Sequence, residues 1–138
     1  MSDSIFSKII RQEIPAHRLY EDEHCIAILD IAPLSPGHTL VIPKEPADTL
    51  DQLSDSAAAG VGRALPRISR AILKVTGATA YNVLQNNGPD ASQSVPHVHF
   101  HIIPRSPDNS AGLGLQWKTT SPDAETLAEL GRKIARLL

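Results

Sequence analysis

The sequence has one cysteine, no strong excess of either charge and no long apolar run. Cys25 stands alone in 138 residues, so an intrachain disulfide is excluded and a reducing, cytoplasmic location is expected. The 13 basic and 15 acidic residues give a net charge of -2, which argues against a surface of clustered Lys and Arg for nucleic acid. No stretch approaches the roughly 20 apolar residues of a membrane span. We therefore expect neither nucleic acid nor a membrane as a partner.

The length and the hydrophobic pattern predict one compact domain over residues 1–138. Helical spacing predicts a short helix at residues 5–10, and a long central helix that begins after Ser54, stops at Gly77 and is kinked or broken at Pro66. A loop from residue 106 leads to a C-terminal helix capped by Ser121. Strands are predicted at residues 18–21, 25–29, 39–42, 81–85 and 97–103. This order predicts an α+β fold with a mainly antiparallel sheet of about five strands.

The last predicted strand carries the unusual feature of the sequence, the segment His97-Val98-His99-Phe100-His101-Ile102-Ile103. Side chains alternate along a strand, so the three histidines are predicted to share one face, with apolar residues on the other. Because the chain has only 6 histidines, three within five positions are not a chance surface pattern. A neutral imidazole is a good nucleophile near neutral pH, and its neighbours can stabilise charge on a phosphate. The segment therefore suggests attack on phosphorus through a nucleotidyl-histidine.

Two other interpretations of the histidines stay open. Histidine is a common zinc ligand, but no Cys, Asp or Glu lies within five residues of the triplet to complete a coordination sphere. A histidine network that stiffens the sheet would explain one of the three residues but not all of them.

The histidine segment resembles the signature of the histidine triad family, His-φ-His-φ-His-φ-φ with φ apolar. Further blocks resemble other family motifs: Ile5–Ile10 with Ile14-Pro15-Ala16, Asp30–Pro33, Pro36–Lys44, Asn86-Asn87-Gly88 and Gln93-Ser94-Val95. The resemblance covers residues 5–105, and the co-occurrence of the blocks makes it specific. It is nearest to the branch that hydrolyses purine nucleoside phosphoramidates.

The resemblance implies a role for each matching residue. His99 would be the nucleophile, supported by His97 and His101, and His38 would lie behind the nucleophile. Asp30 would bind both ribose hydroxyls, since two carboxylate oxygens can accept from two vicinal hydroxyls. Apolar walls for the base would be Phe6, Ile9 and Ile31, although a place in the core explains them equally well. Polar groups around the phosphate and leaving group would be Asn86, Gln93 and Ser94. Trp117 resembles a residue that reaches the partner's site in related homodimers, whose sheets join across the interface.

Two departures from the family pattern bear on function. Ser92 stands where a glycine usually precedes Gln-Ser-Val, so the phosphate loop could be stiffer and activity lower. Ser4 and Ser7 occupy cysteine positions of the zinc-binding members, and Pro46 stands where a ligand histidine is often found. We therefore expect neither metal nor cofactor. Phosphoramidate hydrolysis is the leading expectation; hydrolysis of dinucleoside polyphosphates and nucleotide binding with weak catalysis remain as alternatives.

Overall fold

The five-stranded sheet and three α-helices of the protein are seen in a computed structural model, which describes residues 3–109 and 117–138. In chain order the elements are α1 (Ile5–Ile10), β1 (Arg18–Glu21), β2 (Cys25–Leu29), β3 (Thr39–Pro43), α2 (Asp55–Thr76), β4 (Ala80–Gln85), β5 (Phe100–Arg105) and α3 (Ala124–Ala135). All strand pairs are antiparallel, in the order β1-β2-β3-β5-β4. The predicted α+β fold with a mainly antiparallel sheet is confirmed.

The long helix α2 covers one face of the sheet. It begins as predicted, with the Ser54 hydroxyl accepting from the N–H of Ala57, and it ends at Gly77 in the left-handed conformation. The helix runs through Pro66 without a break, although Pro66 removes one hydrogen bond. Its apolar stripe packs against β2, β3 and β5 in a cluster made of Cys25, Ala27, Val41, Val61, Ala64, Ile68, Ile72 and Ile102. This apolar cluster forms the core between α2 and the sheet.

The close approach of α2 to the sheet depends on one glycine. A Cβ atom on Gly60 would lie 2.4 Å from the Cβ of His24, in the turn before β2. A Cβ on Gly62, two residues later and on nearly the opposite side of the helix, would meet nothing within 4 Å. Gly60 is therefore required by packing, whereas Gly62 is not.

The short helix α1 lies on the opposite face of the sheet. Its Phe6 and Ile9 pack with a second cluster of buried residues from β2 and β3, which are Ile26, Ile28, Leu40 and Ile42. Cys25 belongs to the α2 face and is fully buried, which raises the pKa of its thiol to about 12. The two apolar clusters enclose the sheet, and the histidines lie on the α1 face.

The predicted histidine strand is wrong in its first half. β5 begins at Phe100, so His97, Val98 and His99 precede the strand. The N–H of His97 donates to the carbonyl of Val95 in a tight turn, and the N–H of Val98 donates to Ala47 in the loop after β3. These bonds lead the backbone away from the ladder, and only His101 lies within the strand.

The C-terminal helix α3 packs differently from α2. The predicted cap, Ser121, is wrong: Asp123 caps the helix by accepting from the N–H of Thr126, and the helix begins at Ala124. None of its residues is buried, and its apolar face, Leu127, Leu130 and Ile134, is about half exposed. Residues 110–116 of the predicted loop lie outside the described residues. Within the described ranges, no helix is both long and apolar enough to cross a membrane.

Candidate active site

Three histidine rings and one carboxylate meet on the α1 face of the sheet. His99 and His101 have ring centroids 5.1 Å apart, and the ring centroid of His38, the residue directly before β3, also lies 5.1 Å from that of His101. Asp30, directly after β2, places Oδ2 3.5 Å from Nε2 of His38. Phe6 of α1 closes the cluster, with its ring centroid 4.9 Å from that of His99 in an edge-to-face arrangement. The sequence blocks that lie far apart in the chain therefore converge on one site.

The orientation of His99 is fixed by a backbone carbonyl. Nδ1 of His99 lies 2.8 Å from the carbonyl oxygen of His97. Because a carbonyl can only accept, Nδ1 carries the hydrogen and donates it. In the neutral ring Nε2 is then left with an unprotonated lone pair. The site therefore presents one imidazole as a nucleophile with its tautomer already set.

His101 is oriented by His38 in a similar way. The N–H of Leu34 donates to Nδ1 of His38 over 3.0 Å, so in the neutral ring the hydrogen is on Nε2. That nitrogen lies 2.9 Å from Nδ1 of His101 and donates to it. Neutral His101 then carries its own hydrogen on Nε2. His38 thus lies behind His101 rather than directly behind His99, and it leaves His101 as an N–H donor.

Burial keeps this cluster uncharged. Desolvation lowers the pKa of His99 below the ordinary value of 6.5, and it does the same for His38. The pKa of His101 falls to about 4, because desolvation is reinforced by His99 and His38 beside it. At neutral pH all three rings are therefore neutral, which is the state that a nitrogen nucleophile requires.

His97 was predicted to act on the same face as His99 and His101, but its ring bonds to groups outside that cluster. Its ring is 2% exposed, and its Nε2 lies 2.9 Å from the carbonyl oxygen of Pro43. Nδ1 lies 3.0 Å from the hydroxyl of Ser4. His97 therefore contacts the site through its backbone carbonyl, which receives the Nδ1–H of His99.

The residues expected around a nucleoside differ in exposure. Oδ1 of Asp30 accepts from the N–H of Ala32, which holds the carboxylate at the turn after β2. Ile31, next in the chain, is 90% exposed. Phe6 and Ile9 are each 6% exposed; Ile9 lies within the α1 cluster, whereas Phe6 also touches the histidine rings. Ile31 is thus an exposed apolar surface beside the carboxylate.

The loop before β5 is held by the side chain of Gln93. Its oxygen accepts from the N–H of Gly88, and its nitrogen donates to the carbonyls of Asp48 and Val95. Asn86 follows β4 and is half-buried, and Ser94 is exposed. Gln93 therefore shapes the loop, and Ser94 remains open to solvent.

Ser92 occupies a strained position in this loop. Its φ of 66° lies in the left-handed region, which favours glycine. Ser92 replaces the glycine that is usual in the family at a position whose backbone conformation favours glycine. A glycine would adopt this conformation without penalty.

The zinc chemistry of some family members does not fit the residues present. Ser4 and Ser7 offer hydroxyls, and the Ser4 hydroxyl already bonds the ring nitrogen of His97. A second group, formed by Asp30, His38 and His101, has ligand atoms within 4.8 Å of one another. Nε2 of His38 carries a hydrogen there and has no lone pair for a metal. Neither group fits a metal site.

Three contacts that fix the rings were missed by sequence reasoning. They are made by the backbone of Leu34, the backbone of Pro43 and the hydroxyl of Ser4. Backbone groups carry no sequence signal. Ser4 did carry a sequence signal, because a serine before an apolar helix is a typical cap. Its bond to His97 depends on the fold and could not be predicted.

Trp117, expected at a partner's site, is 88% exposed.

Comparison with known proteins places the chain in a family. The family model described as the HIT domain matches residues 11–108, and the chain belongs to this family of histidine triad proteins. Over 131 residues the chain is 46% identical to adenosine 5'-monophosphoramidase of Schizosaccharomyces pombe, covering 95% of each chain. Over 104 residues it is 49% identical to an adenylylsulfatase of Arabidopsis thaliana, covering 75% of this chain and 53% of the relative. The crystal structure of a HIT family member from Bacillus subtilis superposes with a TM-score of 0.92 at 42% identity, covering 99% and 98% of the two chains.

Proposed function

We propose that the protein is a hydrolase that cleaves purine nucleoside 5'-phosphoramidates at the α-phosphorus. The observation that carries the proposal is the state of His99: Nδ1–H is bound to the carbonyl of His97, and Nε2 is unprotonated. The pKa of His99, lowered by burial, keeps this nitrogen free at neutral pH. The similarity to adenosine 5'-monophosphoramidase supports the phosphoramidate as substrate.

The reaction proceeds in two displacements at phosphorus. Nε2 of His99 forms a bond to the α-phosphorus, the P–N bond of the substrate breaks, and the amine leaves with a proton taken from solvent, which the water of the second displacement returns. Water then attacks the nucleotidyl-histidine and releases the nucleoside monophosphate. Nε2–H of His101, oriented by His38, donates to a non-bridging oxygen as negative charge develops there. Ser94 lies exposed at the loop for contact with the leaving group.

The nucleoside is held by groups at the end of β2. The carboxylate of Asp30 accepts from the two ribose hydroxyls, and exposed Ile31 covers one side of the base, with Phe6 near the phosphate. Ile9 supports Phe6 from within the α1 cluster. Asn86 and Gln93 border the phosphate through the loop before β5.

The protein acts as a homodimer whose two sheets join across the interface. The outer edge of β4 supports this arrangement, because β4 is the last strand of the sheet and, among the residues that the structure describes, pairs with β5 alone. Its Tyr81 and Val83, on the same face of the sheet as α2, are 43% and 49% exposed. Light scattering that finds a monomer at micromolar concentration would contradict it.

The first test is hydrolysis of adenosine 5'-phosphoramidate with and without chelator. Turnover is expected to resist the chelator, because no step requires a metal. His99→Ala should lower kcat by at least about 1000-fold while AMP still binds. The matched control is His17→Ala, which alters an exposed histidine and should leave kcat unchanged. Full activity of the His99 variant would refute the nucleophile.

A second substrate class is supported by the relative named adenylylsulfatase. In adenylyl sulfate the leaving group is an anion that needs no proton, and the same attack by His99 would release it. The ratio of kcat/KM for the two substrates decides between them. A faster reaction with adenylyl sulfate or a dinucleoside tetraphosphate would replace the phosphoramidate as substrate. AMP binding without turnover of any of the three would indicate a nucleotide-binding protein.

A further inference from the structure

The hydroxyl of Ser4 connects the start of α1 to the histidine cluster. Ser4 is 7% exposed and caps α1, where its Oγ accepts from the N–H of Ser7 over 3.0 Å. The same Oγ lies 3.0 Å from Nδ1 of His97, 93 residues further along the chain. One side chain therefore joins the helix to the segment that carries the nucleophile.

The direction of this hydrogen bond follows from the groups around it. Nε2 of His97 must donate, because its partner is the carbonyl oxygen of Pro43. In the neutral ring Nδ1 is then unprotonated and can only accept. Oγ of Ser4 already accepts from the N–H of Ser7, and its own hydrogen is the one that reaches Nδ1. The ring of His97 is thus held from both sides, between α1 and β3.

We propose that Ser4 is a positioning residue for the nucleophile: its hydroxyl fixes the tautomer and place of the His97 ring, and thereby the His97 carbonyl that receives Nδ1–H of His99. The hydrogen-bonded series runs from Ser4 to the His97 ring, through the His97 backbone, to His99. A hydroxyl hydrogen is required, because an acceptor at this place would demand a hydrogen on Nδ1. The expected effect on activity rests on the proposed function. The expected tautomer of His97 does not depend on that function.

Ser7 provides a matched comparison on the same helix. Its hydroxyl lies 3.5 Å from Nδ1 of His97 and 3.3 Å from Oγ of Ser4, and the residue is half-buried. At 3.5 Å a hydrogen bond is weak at best. Ser4 and not Ser7 therefore carries the positioning, and removal of the Ser7 hydroxyl should leave His97 in place.

The tautomer is measured in the wild-type protein by ¹⁵N NMR of the histidine rings near pH 7.5. For His97 we expect a spectrum that shows hydrogen on Nε2 and none on Nδ1. This measurement uses no substrate, so it stands whether or not the protein hydrolyses phosphoramidates. Hydrogen on Nδ1 of His97 would overturn the proposal.

Three variants separate positioning from helix capping. Ser4→Asp keeps a good helix cap but replaces the donor with an acceptor. His97 should then carry hydrogen on Nδ1, and kcat should fall by about ten- to a hundredfold with little change in KM, because the nucleophile is displaced. Ser4→Thr keeps the hydroxyl and should retain both the wild-type spectrum and the wild-type kcat. Ser7→Ala should also behave like the wild type.

The outcomes distinguish the two proposals. A Ser4→Asp protein with the wild-type His97 spectrum, or with the altered spectrum and undiminished kcat, would show that Ser4 does not position the nucleophile. If the wild type hydrolyses none of the substrates, the proposed function fails, and the spectra of the wild type and of Ser4→Asp still decide the role of Ser4.

Discussion

The two faces of the sheet belong to the same strands but pack against the rest of the chain in different ways. On the α2 face, apolar side chains from β2, β3 and β5 fill the space under one long helix. On the α1 face, a short helix covers only part of the sheet, and hydrogen-bonded histidines occupy the rest. Packing defines the first face, and the direction of individual hydrogen bonds defines the second. Added volume should therefore harm the α2 face most, and added protons the α1 face.

The largest effect is expected from Gly60→Ala on the α2 face. Its Cβ would lie 2.4 Å from the Cβ of His24, an atom too near the backbone to move aside. We expect the free energy of unfolding to fall by about 1–3 kcal/mol, as for other overpacked sites. Urea denaturation followed by circular dichroism measures the change.

The control for this variant lies in the same helix. Gly62→Ala adds the same methyl group where nothing lies within 4 Å, and it should raise stability by about 0.5–1 kcal/mol through helix propensity. Equal effects of the two substitutions would show that close packing at Gly60 is not what limits this face.

Acid should weaken the α1 face next. The folded-state pKa values of His38, His99 and His101 lie below the ordinary 6.5, that of His101 at about 4. The unfolded chain therefore binds more protons than the folded one, and stability is lost as pH falls from about 6.5 toward 4. Between pH 7.5 and 5.5 we expect a loss of about 1–2 kcal/mol in urea denaturation.

His101→Gln tests whether the histidines cause this dependence of stability on pH. This variant has one fewer imidazole in the cluster, and its stability should depend less steeply on pH over the same interval. A slope as steep as that of the wild type would assign the acid sensitivity to other groups.

The smallest effect is expected at Ser92, in the loop beside the histidines. Its left-handed backbone is unfavourable for a β-branched residue, so Ser92→Val should lower stability by about 1 kcal/mol. Ser92→Gly relieves the strain but adds entropy to the unfolded chain, and a gain of at most about 0.5 kcal/mol is expected. Thermal denaturation of the pair measures both, and a valine variant as stable as the glycine variant would argue against strain at this position.

The elements that the sequence predicted well are those with strong local signals. The apolar run at Cys25–Leu29 and the capped stripe of α2 between Ser54 and Gly77 have the expected bounds. The histidine strand was predicted too long, because alternation cannot reveal that Val98 bonds to Ala47 instead of to a neighbouring strand. A periodic pattern reports the face of an element but not where its hydrogen bonds go.

The two amphipathic helices teach a related lesson. Both show an apolar stripe in the sequence, yet α2 buries seven residues and α3 buries none. Within the site, the motif identified the four histidines, but the contact of His38 with His101 depends on a backbone N–H at Leu34. Residue identities therefore predicted which groups meet, and the fold decided which nitrogen of each ring carries the hydrogen.

The burial of Cys25 has a practical consequence. Its thiol is fully enclosed beneath α2, and its raised pKa, about 12, leaves almost no thiolate at neutral pH. A thiol reagent can react only after α2 lifts from the sheet. Because there is no second cysteine, the labelling rate counts openings of this one region without any introduced probe. Thiol labelling of the wild-type chain therefore measures the rate of local unfolding at its core.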